Sequence, residues 1–84
     1  YGGIKMSTEC NGWKNYETWN VALWLGSDRG LADLVNNFGK GVTYKFFAKH
    51  YLKKICVGTP DGINWLNRSL DHQALNEFLQ EATA

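Results

Sequence analysis

Zinc-binding side chains occur at four positions in this sequence: Cys10, His50, Cys56 and His72. Structural zinc sites normally pair two of their four ligands at a close spacing, as in Cys-x-x-Cys, because neighbouring ligands grip the ion together. The 84 residues contain no such pair, and His50 and Cys56 fall on different sides of the helix predicted around them. We therefore expect no metal site and no cofactor.

Cys56 is the cysteine nearest to basic residues, since Lys53 and Lys54 lie beside it. A nucleophilic thiolate needs a neighbouring base and an electropositive setting that stabilises it. Cys56 falls near the C-terminal end of a predicted helix, where the negative end of the helix dipole opposes the thiolate. The carboxylates are explained by capping, turn or surface roles: Glu17, Asp28, Asp33, Asp61 and Asp71. We predict no catalytic residues and interpret the protein as not an enzyme.

Asn20 lies in a predicted helix that is otherwise largely apolar. A buried amide that lacks hydrogen bonds costs about 1–3 kcal/mol, so this side chain needs partners. We expect backbone groups of an adjoining loop to supply them. The alternative is an amide that is presented to a ligand.

Capping residues and apolar spacing predict four short helices that position these side chains. We place them at about 16–25, 28–38, 44–56 and 71–82. Asn15 is the predicted N-cap of the first helix and Gly26 its stop, while Ser27 caps the second. Gly39 closes the second helix as a left-handed cap.

The chain between the third and last helices contains a turn, Thr59-Pro60-Asp61-Gly62, which has the composition of a type I turn. The residues after it are too few to classify, and we expect an extended piece in which Trp65 covers the core. Asp71 or Ser69 caps the last helix. Its predicted buried positions are Leu75, Phe78, Leu79 and Ala82.

The first predicted helix carries apolar residues on two sides. Tyr16, Trp19 and Leu23 form one stripe, and the opposite stripe consists of Val21, Trp24 and Leu25. A helix that is apolar nearly all round is usually buried, so we predict that this one is the centre of the core. The alternative is that one stripe meets a partner.

The third predicted helix, capped by Thr43, has one apolar face and one basic face. The apolar face is Tyr44, Phe47, Ala48, Tyr51, Leu52 and Ile55. The predicted partner-binding face is Lys45, Phe46, Lys49, His50, Lys53 and Lys54. The segment between Leu34 and Pro60 holds five lysines and no Asp or Glu, hence +5. The other residues hold four basic and eight acidic side chains, hence −4.

The exposure of the Phe46 ring distinguishes two interpretations of the basic face. An aromatic ring among lysines on a solvated helix face is typical of a surface that contacts an acidic partner or stacks on a base. The alternative is that the chain near Trp65 covers the ring and the lysines merely solvate the helix.

The composition limits the chain to one small domain. Apolar residues make up 44% of it, and 4 Trp, 4 Tyr and 4 Phe predict an aromatic, tryptophan-rich core in an all-α fold. We assign residues 1–12 to an N-terminal segment, in which Met6 is the expected start, and residues 13–84 to a single helical domain. Two cysteines, no signal segment and no long apolar run indicate a cytoplasmic protein without a membrane span.

Two motifs give the chain a resemblance. The run WKNYETWNVALW from Trp13 to Trp24, followed by TPDGINW from Thr59 to Trp65, resembles a family of small proteins of unknown function encoded by bacteriophages and other mobile elements. The similarity extends from Trp13 to the last helix. It implies a viral accessory protein, present in the host cytoplasm, that binds a host or viral component. It implies no activity, and the basic face is not part of its motifs.

These observations favour a non-catalytic binding protein that docks on a host protein through the basic face or an exposed edge of the tryptophan cluster. The first alternative is weak nucleic-acid binding by the same lysines, without an arginine placed for base contacts. The second alternative is a small homo-oligomeric accessory protein. A small enzyme would need a polar pocket that the sequence does not locate.

Overall fold

The computed structural model describes residues 12–84, and these form a compact globule of four α-helices. The helices are α1 (Tyr16–Ser27), α2 (Arg29–Phe38), α3 (Tyr44–Phe47) and α4 (His72–Ala82). A π-helical turn, Ala48–Leu52, continues α3. No strand element occurs in this part of the chain. The predicted all-α class is confirmed.

A side-chain cap begins each helix. Asn15 accepts a hydrogen bond from the Thr18 amide at 2.9 Å, and Thr43 accepts one from the Phe46 amide at 3.2 Å. Asp71, one of the two predicted caps of α4, accepts from the Ala74 amide at 3.2 Å.

The predicted cap of α2 was wrong by one residue. The Asp28 carboxylate accepts from the Leu31 amide at 3.0 Å, while Ser27 is the last residue of α1. Asp28 has extended backbone angles and a short acceptor side chain, which are the two properties that an N-cap requires.

The glycines end the helices differently from the prediction. Gly26 lies inside α1, which continues to Ser27. Gly39 follows α2 but has φ −84°, so it is not a left-handed cap. Close packing explains this glycine, because an added Cβ would lie 2.7 Å from the Val35 carbonyl oxygen. The left-handed residue of this loop is Gly41, with φ +79°.

The third helical segment is shorter than predicted. It ends at Leu52 rather than near Cys56, and its last turn is π-helical. Tyr44, Phe47, Ala48 and Leu52 are buried as expected, whereas Ile55, beyond the helical end, is 59% exposed.

The core is built from all four helices and from Trp65. Its buried apolar residues are Val21, Ala22, Leu25, Leu31, Val35, Tyr44, Phe47, Ala48, Leu52, Trp65, Leu70, Leu75 and Leu79. Trp65 has no exposed surface, so it lies inside the core rather than covering it. Trp13 and Trp24 pack against the core at its edge.

Burial was overpredicted at the ends of elements. Phe38 at the end of α2 is 43% exposed, and Ala82 at the end of α4 is also exposed. On α1, the stripe of Val21 and Leu25 is buried, but Tyr16 and Leu23 are exposed, so α1 is not surrounded on all sides. Among the residues described, no helix is long and apolar enough to cross a membrane.

Candidate functional site

The structure places all six residues of the predicted basic face at the surface. Lys45 and Phe46 lie on α3, Lys49 and His50 lie on the π-helical turn, and Lys53 and Lys54 follow it. The Phe46 ring is 45% exposed. The alternative in which the chain near Trp65 covers this ring is therefore wrong.

Phe46 belongs to a row of surface rings. Its centroid lies 4.2 Å from that of His50 and 6.4 Å from that of Tyr51. Tyr51 in turn stacks on Phe38, with centroids 4.5 Å apart and planes 11° from parallel. Sequence reasoning assigned Phe38 and Tyr51 to the core, because both follow the apolar spacing of their helices. In the fold they lie where α2 meets the π-helical turn, half inside and half outside.

Lys45 and Lys49 also line a cleft that the sequence did not reveal. The cleft has a volume of ≈ 720 Å³, and Arg68 and His72 contribute to it from the chain before α4 and from the first residue of α4. These two residues lie about twenty positions beyond Lys49 in the sequence, and no periodicity links them to it. Arg68 thus lies near two lysines of the basic face, a proximity that the sequence did not predict.

The segment that carries Arg68 is tied to the start of α1. The Ser69 carbonyl accepts from the Asn15 side-chain amide at 2.7 Å, and the Asp71 amide donates to the Thr18 hydroxyl at 3.0 Å. The Asn67 carboxamide oxygen accepts from the Ser69 amide at 2.7 Å. These contacts hold the backbone around Arg68 in place.

Tyr44 joins α3 to the other wall of the cleft. Its amide donates to the Asn76 carboxamide oxygen at 2.6 Å, and its hydroxyl donates to the Trp65 carbonyl oxygen at 2.6 Å. The His72 ring meets the Tyr44 ring edge-on, with centroids 5.7 Å apart. Burial raises the pKa of the Tyr44 hydroxyl, because the phenolate would lose its hydration. Tyr44 is therefore a neutral, buried link between α3, Trp65 and α4.

The cleft is strongly electropositive. Lys45, Lys49 and Arg68 make no ion pair with any residue in 12–84, and no acidic side chain lines the cleft. Positive charges that share a concave surface and lack counter-charges concentrate anions there. The arrangement is suited to binding an anion.

The first sequence motif is explained by contacts within the fold. Asp61, in the turn, accepts from the Asn20 carboxamide at 2.8 Å and from the Trp24 indole at 2.9 Å. The Asn20 partners are therefore side chains, Asp61 and at 3.3 Å the Tyr16 hydroxyl, and not the predicted loop backbone. The hydrogen bonds from Asn20 and Trp24 lower the pKa of the Asp61 carboxyl.

The predicted turn closes as expected, with the Gly62 amide donating to the Thr59 carbonyl oxygen at 2.9 Å. Gly62 has φ +95°, a conformation that favours glycine. The turn ends a small hairpin in which Gly58 faces Asn64. The hairpin thus presents Asp61 to α1.

The sulfur and imidazole side chains do not converge within residues 12–84, where no group of three potential metal ligands is found. Cys56 is exposed and lies beyond the π-helical turn, not in a helix as predicted. Cys10, Met6 and the proposed N-terminal segment up to residue 11 lie outside the described residues.

The fold and the cleft define a small all-α protein with one basic, aromatic-edged surface. The chain belongs to a family of unknown function, DUF7249, whose model matches residues 6–84. No curated protein and no solved structure matches this chain.

Proposed function

We propose that the protein is a non-catalytic binding protein that docks on an acidic surface of a host protein. The docking surface consists of the six predicted residues and the two rings beside them, Phe38 and Tyr51. The single observation that carries this proposal is the exposed Phe46 ring, which contacts the His50 ring and adjoins lysines that have no ion pair within residues 12–84.

The two kinds of side chain would have different roles in docking. Half-exposed rings bury large apolar areas at low conformational cost, so they anchor an interface. Unpaired lysines raise the rate of encounter with an acidic partner and contribute less to the lifetime of the complex. The resemblance to phage-encoded proteins supports a host protein as the partner.

Quantitative affinity capture from host lysate tests this proposal. Partners that bind the wild type should be lost with Phe46→Asp and reduced with the double variant Lys49→Glu/Lys53→Glu. Ile55→Asp is the matched control, because it places the same charge at another exposed apolar residue three positions past the helical segment. Equal recovery of partners by all variants would remove this surface from consideration.

The second candidate is binding of single-stranded nucleic acid. Arg68 in the cleft and the exposed rings favour it, because cationic grooves with stacking rings bind such strands without sequence preference. Binding of this kind weakens steeply with salt, since phosphate contacts release counterions. Anisotropy titrations with a labelled oligonucleotide at low and physiological salt test it, and no association at low salt eliminates it.

A further inference from the structure

The side chains of the cleft have hydrogen-bond donors to spare and almost no acceptors. Lys45, Lys49 and Arg68 can only donate, and none of them has a partner within the described chain. A ligand that satisfies three such groups together must offer several acceptor atoms and negative charge.

Three uncharged residues of the cleft, Thr43, Asn67 and Asn76, also offer hydrogen-bond donors. The Asn76 oxygen already accepts from the Tyr44 amide, and the Asn67 oxygen from the Ser69 amide. Because a backbone N–H can only donate, each carboxamide is held with its oxygen on the backbone and its NH₂ group left over. The Thr43 oxygen accepts from the Phe46 amide, which leaves the hydroxyl proton to donate. Two NH₂ groups and one hydroxyl are thus added to the cationic donors.

A phosphate monoester matches this donor set better than a carboxylate. It carries about −1.5 to −2 charges at pH 7 and three strong acceptor oxygens, whereas a carboxylate carries one charge and two oxygens. Arginine binds two phosphate oxygens at once, and lysine adds a mobile point charge. The cleft volume of ≈ 720 Å³ also leaves room for the group that bears the phosphate.

We propose that the cleft between α3 and the start of α4 is a binding site for a phosphate monoester, held by Lys45, Lys49 and Arg68 with Asn67 and Asn76. This inference goes beyond docking on a host protein, because a small phosphorylated compound can occupy the cleft without any protein partner. The phosphate has two possible bearers, a free metabolite such as a nucleotide or a phosphorylated side chain of a protein.

The test is a titration of the full ¹⁵N-labelled chain with inorganic phosphate, followed by NMR at constant ionic strength. At about pH 7.5 the dianion is the main form of inorganic phosphate, and phosphate monoesters, whose second pKa is about 6, are almost wholly dianionic. We expect saturable shifts of the amides around Arg68 and His72, with a Kd on the order of millimolar. Arg68→Gln and Lys49→Gln should each weaken binding at least about fivefold, since each removes a charge-assisted hydrogen bond.

Lys40→Gln is the matched control, because it removes the same charge from an exposed lysine that neither lines the cleft nor belongs to the docking surface. It should change the Kd less than about twofold, as expected for a screened surface charge. Circular dichroism of all variants checks that they fold. Unsaturable shifts, a loss in the control equal to that in Arg68→Gln, or acetate binding as tightly as phosphate would overturn the proposal.

Two further ligands identify the bearer of the phosphate. Tighter binding of adenosine monophosphate than of inorganic phosphate indicates a metabolite, and tighter binding of a phosphoserine peptide indicates a modified protein. Equal binding of all three supports recognition of the phosphate group alone. Rejection of both esters, with inorganic phosphate still bound, would contradict a monoester site.

Discussion

Replacing Tyr44 with phenylalanine removes one buried hydroxyl and leaves the shape of the ring unchanged. That hydroxyl donates to the Trp65 carbonyl oxygen at 2.6 Å, and both side chains have no exposed surface. Without the hydroxyl, no water reaches the carbonyl oxygen in its place. Leaving a buried polar group unpaired costs about 1–3 kcal/mol. We therefore expect Tyr44→Phe to lower the free energy of unfolding by about that amount.

Urea denaturation, followed by fluorescence and by circular dichroism, measures this loss. For a domain of this size each kcal/mol corresponds to a fall in Tm of roughly 4–8 °C. Tyr51→Phe is the control, because the half-buried Tyr51 hydroxyl has no hydrogen bond within the described chain. If Tyr44→Phe unfolded within about 0.5 kcal/mol of both the wild type and Tyr51→Phe, the link between α3 and Trp65 would not stabilise the fold as argued.

Three further predictions concern stability. The pKa of Tyr44 is raised in the folded state, so its contribution to stability is present below about pH 10, the ordinary pKa of tyrosine, and decreases above it. When the pH is raised past this value, the unfolding midpoint of Tyr44→Phe should therefore fall less than that of the wild type. The pKa of Asp61 is lowered in the folded state, so its contribution to stability is present above about pH 4 and is lost as the pH falls further. Asp61→Asn should make the free energy of unfolding less dependent on pH in this acid range, and an unchanged dependence would contradict the argument. Gly26→Ala should stabilise α1 by about 0.5–1 kcal/mol, because the nearest atom to the added Cβ would be Phe78 Cζ at 3.7 Å. Gly58→Ala should destabilise the fold, because its Cβ would lie 2.8 Å from Asn64 Cα. Thermal melts that rank the two variants the other way would refute the packing argument.

The starts of the helices could be predicted because capping is local. Each cap accepts a hydrogen bond from the amide three residues ahead, as Asn15, Thr43 and Asp71 do. A cap therefore depends only on residues that are close in the sequence. The ends were less predictable, because they depend on what packs against them. Gly39 is explained by its distance to Val35, and nothing in its neighbours distinguishes that role from a left-handed cap.

Apolar spacing identified the faces of the helices but not the depth of their burial. Phe38 and Ile55 have the right spacing, yet Phe38 is the last residue of α2 and Ile55 lies beyond the end of the third helical segment, and both are exposed. The change to a π-helical turn after Phe47 shifts the register of the residues that follow, and the sequence contains no signal for it. Phe38 was wrongly placed in the core, whereas Tyr51 packs against the core at its edge. The stacked pair of these two rings extends the surface around Phe46.

The candidate site illustrates a different limit. Four of the six predicted residues lie on one helical segment and the other two follow it directly, so periodicity could find them. The cleft also needs Arg68 and Asn76, which come from separate parts of the chain, and only contacts such as the one between Tyr44 and Asn76 bring them close to the lysines.

The polar side chains of the motif from Trp13 to Trp24 differ from the cations of the cleft in the contacts that they make. Asn15, Thr18, Asn20 and Trp24 each make hydrogen bonds to other parts of the fold, so substitutions there should cost stability. The cleft cations make none within residues 12–84. Repulsion among like charges with no counter-charge slightly opposes folding, so their removal should leave stability unchanged or raise it. Cations that make no ion pair within residues 12–84 and share one concave surface are what the proposed phosphate site requires.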